Sequence, residues 1–367
     1  MASNAFGRLF KYTTWGVSHG PCLGVVIDGC PPGVELSVDL FEHALLKRRP
    51  GLQAYTSPRQ ESDQPKIVSG VLNGVSTGDP ISVVIDNDDV DSSHYTASQT
   101  CYRPGHADYT YHQKYGVYDP RGGGRASARE TVGRVIAGVV AARILERWGV
   151  KVQAYVRGVG ALEVPVIWEH STFQSLPTHQ WHPDPAVQAQ FEHELAQVAE
   201  SGDTVGGSVG FGVINCPVGW GDPVYEKLSA RLAYALMSIP AAKAFALGEG
   251  FNAHAARGRT HNDAMQPTSE ASGLFKTNHA GGLLGGISTG EVIEGYVVFK
   301  PISSVTGMQA TVSHSGEAVQ YTRPLTARHD PCAVIRAVPV VEAMVMCVLA
   351  DAALMHQAFS DPTGVNH

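Results

Sequence analysis

Short stretches in which apolar residues alternate with polar ones, or gather as β-branched runs, recur along the chain. Alternation with a period of two places every second side chain on one face, which is typical of half-buried strands. This pattern predicts strands over residues 22–28, 66–72, 81–86, 151–159, 208–216 and 296–299.

Apolar residues at helical spacing predict helices, and the one that begins at Ser127 has the clearest boundaries. Ser127 and Glu130 form an S-x-x-E capping box, apolar residues follow from Val132 to Val140 at i, i+3 and i+4, and Gly149 suits a C-terminal cap. This helix is predicted over 127–148, and others over 37 or 39 to 48, 192–200, 223–238 and 339–356. Strands and helices mix without a strict β-α-β rhythm, which predicts an α+β fold.

The composition is that of a globular protein. The 367 residues are 43% hydrophobic and 17% charged, and they contain no linker, low-complexity tract or fixed-period repeat. A single domain over residues 1–367 is therefore predicted. Residues 164–184 are rich in Pro, His and Trp, and we expect them to form an inserted surface loop.

The sequence favours a cytoplasmic protein that binds neither a membrane nor nucleic acid. The first residues lack the apolar segment of a signal peptide, and the most apolar stretch, 337–355, contains Glu342 and Asp351, which favours a buried helix over a membrane span. Six scattered cysteines without a C-x-x-C pair favour free thiols. A net charge of −7 without a basic block argues against nucleic acid.

A run of three glycines between Arg121 and Arg125 leads directly into the helix predicted from Ser127. A helix N-terminus offers unpaired N–H donors and partial positive charge, and arginine adds paired donors that match a phosphate or a carboxylate. The segment therefore predicts an anion site, although a flexible loop with solvated arginines would show the same pattern.

Two histidines are flanked by glycine. His19 precedes Gly20 just before a predicted strand, and His106 follows Gly105 close to Asp108. A histidine oriented in this way can titrate near neutral pH, as an acid–base catalyst must. The alternative is a structural or surface histidine, since the chain has sixteen.

Charged side chains mark further candidate segments. Asp330 lies between Arg328 and Arg336, where a carboxylate should stay ionised, although a salt bridge at a helix start gives the same pattern. Residues 300–304 offer one cation and two hydroxyls after a strand. Arg48 and Arg49 end a predicted helix, where the helix dipole alone favours cations.

The remaining sequence patterns argue against several kinds of binding site but do not identify the ligand. Residues 278–286 are rich in glycine but lack the G-x-G-x-x-G spacing of a dinucleotide site. The chain has no phosphate-binding P-loop and no H-E-x-x-H or H-x-H metal motif, so we expect no metal. Together, the arginine-bearing segments, the two histidines and the glycine loops predict a site for a multiply anionic ligand.

Seven segments, in this order, resemble the chorismate synthase family: residues 16–20, 48–51, 103–108, 122–131, 278–288, 300–304 and 328–332. The most specific are RPGHAD at 103–108 and RGGGRASARET at 121–131. The resemblance implies a β-α-β sandwich with helices between antiparallel sheets, in a homotetramer. It also implies a lyase that converts 5-enolpyruvylshikimate 3-phosphate into chorismate and phosphate by anti 1,4-elimination. Reduced FMN is required without net redox change, and NADPH is a candidate source of its electrons.

The resemblance further implies roles for individual residues. His19 protonates the leaving phosphate, His106 protonates the reduced flavin near N1, and Asp330 helps to take the proton at flavin N5. The implied substrate ligands are Ser18, Arg48, Arg129 and Arg328, with Arg48 also a candidate for NADPH. The implied flavin contacts are Arg125, Ala126, Ser127, Pro240, Ala241, Gly285, Lys300, Pro301, Ile302, Ser303, Ser304 and Arg328.

Three residues depart from the family pattern. Val17 replaces a glutamate beside His19, Ala54 replaces an arginine, and Pro240 replaces an asparagine so that only a backbone contact remains there. We expect activity to persist because both histidines are present. Two other functions fit the same residues: a flavin reductase that consumes NADPH, and a non-catalytic protein that binds a phosphorylated ligand.

Overall fold

The computed structural model describes residues 4–51, 55–57, 61–88, 100–119, 121–165, 168, 173, 176–267, 274–324 and 329–359. The strands are β1 Ala5–Phe6, β2 Lys11–Gly16, β3 Cys22–Asp28, β4 Pro65–Ser69, β5 Val71–Leu72, β6 Val75–Ser76, β7 Ile81–Asp86, β8 Lys151–Val159, β9 Leu162–Glu163, β10 Gly207–Ile214, β11 Ala242–Leu247, β12 Leu283–Leu284, β13 Ile287–Ser288, β14 Ile293–Phe299, β15 Met308–Val312 and β16 Ala318–Thr322. The helices are α1 Val38–Arg48, α2 Asp108–Tyr115, α3 Thr131–Leu145, α4 Pro185–Ser201, α5 Leu228–Met237, α6 Gly258–His261 and α7 Val334–Phe359.

Two five-stranded antiparallel sheets enclose the main helices. The first sheet has the order β1-β2-β3-β7-β4 and the second has the order β11-β14-β10-β8-β9. Helix α3 packs against β2 and β3 of the first sheet, α7 packs against β8 and β10 of the second, and the two helices pack against each other. The predicted α+β fold, a β-α-β sandwich with helices between antiparallel sheets, is confirmed.

The centre of the sandwich is the contact between α3 and α7. Gly138 of α3 has no side chain, and a Cβ there would come within 2.6 Å of the Ala343 backbone on α7. Small residues at this crossing let the two helices approach closely. Apolar side chains from both sheets and from these helices then form one hydrophobic cluster, which fixes the loops at the sheet ends relative to one another.

Helix α7 is long and apolar enough to cross a bilayer, but most of its apolar face is buried inside this protein. Its two carboxylates have partners within the core. Glu342 accepts a hydrogen bond from the Ala154 N–H at 2.8 Å. Asp351 accepts from the N–H groups of residues 8–10 and also pairs with Arg231. The predicted buried helix is therefore correct, because both carboxylates have hydrogen-bond donors inside the protein.

Several predicted strands and helices agree with the structure, and the differences have local causes. The strands predicted over 22–28, 81–86 and 151–159 are observed with those bounds. The strand predicted over 66–72 is interrupted at Gly70, whose φ of 80° lies in the left-handed region. Helix α4 begins at Pro185 because the Asp184 side chain caps it by accepting the Ala186 N–H at 2.8 Å. Helix α7 begins at Val334, upstream of the proline that was predicted to start it.

The helix predicted from Ser127 starts differently from the predicted capping box. The Ser127 hydroxyl accepts the Arg129 N–H at 3.3 Å, and a 3₁₀ turn, Ala128–Glu130, precedes α3. The Glu130 carboxylate does not return to Ser127. It instead accepts from the Thr14 hydroxyl at 2.7 Å and from Arg134 Nε at 2.9 Å. The reciprocal half of the capping box is therefore wrong, since tertiary partners outcompete the local one.

Candidate active site

The turn that contains Ser18 and His19 lies directly against the glycine run before α3. This turn follows β2 and is closed by the Gly20 N–H to Val17 carbonyl hydrogen bond at 3.0 Å. The Ser18 hydroxyl donates to the Gly122 carbonyl at 2.9 Å. Gly122 has a φ of 62°, and a Cβ there would lie 2.5 Å from His19 Nε2. Glycine at 122 therefore lets the backbone approach the imidazole ring.

Asn87, at the end of β7, connects this turn to Arg129. Its side-chain amide donates to the carbonyls of Val17 at 3.2 Å and Gly20 at 2.7 Å. Its side-chain oxygen accepts from Arg129 Nε at 3.0 Å. Asn87 was not among the residues predicted from the sequence, because a single asparagine outside a glycine run or a cationic cluster gives no motif.

Arg48 and Arg129 are buried and share one carboxylate. Arg48 is 1% exposed, and its Nη2 lies 2.9 Å from Asp63 Oδ2. Arg129 Nη1 pairs with the other oxygen of Asp63, and its Nη2 lies 3.2 Å from Glu61. Burial acts to raise the pKa of Asp63, but the two guanidinium groups outweigh it and lower the pKa to about 2. Neither acidic residue was among those predicted from the sequence.

Arg48 remains a cation despite its burial. Removal from water lowers its pKa to about 10, and the charge of Asp63 partly opposes that shift. Its Nε–H is buried and finds no hydrogen-bond acceptor among the residues that the structure describes. A buried guanidinium donor without an acceptor is suited to an anionic ligand.

Asp330 and Arg48 are connected by Arg336, which contacts both of them. One of its oxygens accepts the Ser57 N–H at 2.6 Å, and the other lies 2.9 Å from Arg336 Nη1. Arg336 Nε donates to the Arg48 carbonyl at 3.1 Å. The predicted Arg328 and the departure at Ala54 both lie outside the described residues.

His106 is held in a loop that an internal ion pair closes. Arg103 donates to Asp108 from its Nε and Nη2, each at 2.7 Å, and from its backbone N–H at 3.1 Å. The His106 Nδ1 lies 3.0 Å from the Pro104 carbonyl. Burial, and then the charge of Arg103, lower the pKa of His106. The imidazole is therefore mainly neutral at pH 7, with the proton on Nδ1 and the lone pair on Nε2.

The segment after β14 is bonded to this histidine loop. The Gly105 carbonyl accepts from Lys300 Nζ at 3.0 Å and from the Ser303 hydroxyl at 2.8 Å. The Ser304 hydroxyl lies 3.4 Å from His106 Nε2. Burial lowers the pKa of Lys300, and the charge of Lys243 lowers it further. One ammonium group and two hydroxyls thus surround the histidine loop.

Backbone contacts bring the two groups of candidate residues to neighbouring positions. The Thr204 hydroxyl donates to the Ile302 carbonyl at 2.5 Å. The N–H of the next residue, Val205, donates to the Pro331 carbonyl at 2.9 Å. Residues 204 and 205 therefore bridge the segment beside His106 and the segment that contains Asp330. The Lys300 N–H also donates to the carbonyl of Ala241 at 3.0 Å, which places Pro240 and Ala241 at the same edge.

Three of the predicted flavin residues lie beside β2, at the start of α3 and between β12 and β13. Arg125 Nη2 donates to the Thr14 carbonyl at 3.0 Å, on β2. The Ser127 hydroxyl caps the turn before α3. Gly285 lies on the turn between β12 and β13, and Lys300 follows the Phe299 end of β14.

A cavity of about 800 Å³ lies on the far side of the glycine run. It is lined by Arg125, Val17 and Gly124 together with aromatic side chains of β1, β2 and α2, but not by His19, His106, Lys300 or Asp330. Val17 is thus one of the residues that line this cavity. Within the described part of the chain, no group of three or more His, Cys, Asp or Glu side chains is arranged to hold a metal ion.

Known proteins match the chain over almost its entire length. The family model described as chorismate synthase matches residues 10–354. The chain belongs to the chorismate synthase family. It is 51% identical to the chorismate synthase of Protochlamydia amoebophila, covering 97% of this chain and 98% of the relative. It is 46% identical to the chorismate synthase of Caulobacter vibrioides, covering 100% of this chain and 98% of the relative.

A solved structure supports the same conclusion about the fold. A crystal structure of chorismate synthase superposes with a TM-score of 0.74 at 29% identity, covering 96% of this chain and 93% of the other. The resemblance noted from the sequence is therefore confirmed. As a chorismate synthase family member, the chain is an enzyme, a carbon–oxygen lyase that acts on a phosphate and serves aromatic biosynthesis.

Proposed function

We propose that this enzyme eliminates phosphate from 5-enolpyruvylshikimate 3-phosphate to form chorismate, in an anti 1,4-elimination that requires reduced FMN and causes no net redox change. The observation that carries the proposal is the junction of Arg48, Arg129 and Arg336 with the turn of His19 and with Asp330. The substrate bears two carboxylates and a phosphate, and a cluster of guanidinium groups in an otherwise acidic protein suits such a polyanion.

Ser18, Arg48, Arg129 and Arg328 are the proposed substrate ligands. Departure of phosphate needs both charge neutralisation and a proton at the leaving oxygen. The arginines supply the neutralising charge. His19 is the proposed donor of the proton, and it is only 8% exposed and packed against Gly122. Burial of this ring limits competition from water for that proton.

The segment beside His106 is the proposed flavin site. Lys300, Ser303 and Ser304 offer an ammonium group and hydroxyls, which are the donors that a phosphate or a polar ring edge of FMN needs. When bound, reduced FMN supplies the electron that assists cleavage of the carbon–oxygen bond. The other proposed flavin contacts rest on the family resemblance: Arg125, Ala126, Ser127, Pro240, Ala241, Gly285, Pro301, Ile302 and Arg328.

His106 and Asp330 are the proposed groups that hold protons beside the flavin. The hydrogen bond between His106 Nδ1 and the Pro104 carbonyl leaves Nε2 to carry the second proton, and an anion bound nearby would favour the protonated ring. The Asp330 carboxylate, held by Ser57 and Arg336, is oriented to accept a proton. Arg48 is also the proposed contact for NADPH, should this chain reduce its own flavin.

The proposed assembly is a homotetramer in the cytoplasm, with a small-molecule substrate and neither nucleic acid nor a membrane as partner. A flavin reductase remains the second candidate because Lys300 and Arg48 would serve a reduced flavin and a nicotinamide phosphate equally well. The two functions differ in redox balance, since a reductase consumes NADPH with each turnover whereas the elimination does not.

The test replaces each proposed proton donor in turn. Wild-type enzyme mixed anaerobically with reduced FMN and substrate should release phosphate, and His19→Ala and His106→Ala should each lower that rate by roughly 10²- to 10⁴-fold. A loss below tenfold would assign the replaced histidine a structural role. No release of phosphate by the wild type would end the proposal.

A further inference from the structure

Two acidic residues from the segment before β4 lie between the arginines that are proposed to bind the substrate. Asp63 is fully buried and contacts Arg48 through one oxygen and Arg129 through the other. Glu61, also buried, lies 3.2 Å from Arg129. We call Glu61 and Asp63 the acidic brace.

Stability alone is a poor explanation for the acidic brace. Taking carboxylates and guanidinium groups out of water costs nearly as much as their attraction returns, so buried ion pairs contribute little net stability. The brace nevertheless connects two separate elements, since Arg48 ends α1 and Arg129 lies in the 3₁₀ turn before α3. It also leaves one guanidinium donor, Arg48 Nε, without an acceptor among the described residues.

We propose that the acidic brace positions the guanidinium groups of Arg48 and Arg129 for the substrate anions, an inference that rests on the proposed function. Two guanidinium groups without a counter-charge repel each other and turn towards water. Asp63, with one oxygen on each, fixes their separation before the ligand arrives. Preorganisation of this kind lowers the cost of binding. The brace acts on the arginines through these ion pairs, so its effect falls on substrate affinity more than on proton transfer.

Asp63→Asn is the sharpest test because the amide has nearly the same shape as the carboxylate. It removes the charge and turns one acceptor into a donor that faces a guanidinium group. We expect KM for 5-enolpyruvylshikimate 3-phosphate, and its equilibrium Kd measured without flavin, to rise on the order of tenfold to a hundredfold. The value of kcat at saturating substrate should change less than about threefold, because the proton donors are untouched.

A matched control separates positioning from general destabilisation. Asp351→Asn removes another buried carboxylate that pairs with an arginine, but on α7 beside residues 8–10. It should lower the melting temperature and leave KM unchanged. Asp63→Asn with an unchanged KM and Kd, or Asp351→Asn with the same rise in KM, would overturn the inference.

A second variant keeps the inference testable if Asp63→Asn fails to fold. Glu61→Gln removes the charge that faces Arg129 and leaves Asp63 in place, so KM should rise about three- to tenfold with kcat preserved. A folded Glu61→Gln enzyme with the wild-type KM would then refute the proposal that the acidic brace positions the arginines. An inactive wild type that also fails to bind the substrate would instead refute the proposed function, and the two failures are therefore distinct.

Discussion

The glycine at 122 provides the most direct test of how the fold positions His19. In a Gly122→Ala variant, the added Cβ would lie 2.5 Å from His19 Nε2 and 2.6 Å from the Ser18 hydroxyl, against ordinary contacts of 3.4–4 Å. The imidazole must therefore move by at least about 0.9 Å, the difference between 3.4 and 2.5 Å at Nε2, since its Cδ2 atom lies closer still to the added Cβ. A displacement near 1 Å of a catalytic group can cost on the order of 10²-fold in rate.

Gly123→Ala is the matched control for Gly122→Ala. Both glycines have positive φ, 62° and 77°, so both variants bear the left-handed penalty of roughly 1–2 kcal/mol for a residue with a side chain. At Gly123, however, a Cβ would meet no atom within 4 Å. Anaerobic phosphate release should fall about 100-fold further for Gly122→Ala than for Gly123→Ala. Equal rates for the two variants would refute the contact between the glycine run and His19.

Three further outcomes are expected. Lys300→Met, which removes the ammonium beside Gly105, should weaken binding of reduced FMN by about tenfold or more in a fluorescence titration. The pKa of His106 in the ligand-free protein should lie below the ordinary 6.5 in an NMR titration and rise when phosphate is added. Because the folded pKa of His106 is lowered, the unfolded chain binds more protons between the two values, and stability should decline as the pH falls below about 6.5. Asp351→Asn should cost about 3–5 kcal/mol in chemical denaturation, since Arg231 loses its buried counter-charge and one of the two oxygens shared with the N–H groups of residues 8–10 becomes a donor.

The fold was predictable from the sequence where local pattern and tertiary burial agree. Strand β7 alternates between buried and half-buried residues, whereas β3 and β8 contain longer buried runs, and the predicted bounds of all three match the structure. The start of α7 was not predictable, because Pro339 suggests a helix beginning, while burial between the sheets extends the helix back to Val334. The capping box at Ser127 failed for a related reason, since Thr14 on another element attracts the Glu130 carboxylate.

The candidate site was predictable as a set of motifs but not as a network. His19 and His106 could be predicted because each lies next to a glycine. Close backbone approach favours glycine and proton transfer favours histidine, so both requirements are visible in the sequence. Asp63 and Asn87 leave no such signal, since each acts through partners far away in sequence, such as Arg129. Polar residues that contact only other side chains can be identified only when the packing of the elements that contain them is known.

The balance of products and electrons tests the central claim most directly. Enzyme, reduced FMN and 5-enolpyruvylshikimate 3-phosphate are mixed without oxygen, and phosphate, chorismate and the flavin spectrum are followed together. We predict phosphate and chorismate in equal amounts over many turnovers, with the flavin still reduced at the end. Oxidation of one flavin for each product formed, or phosphate without chorismate, would contradict the account.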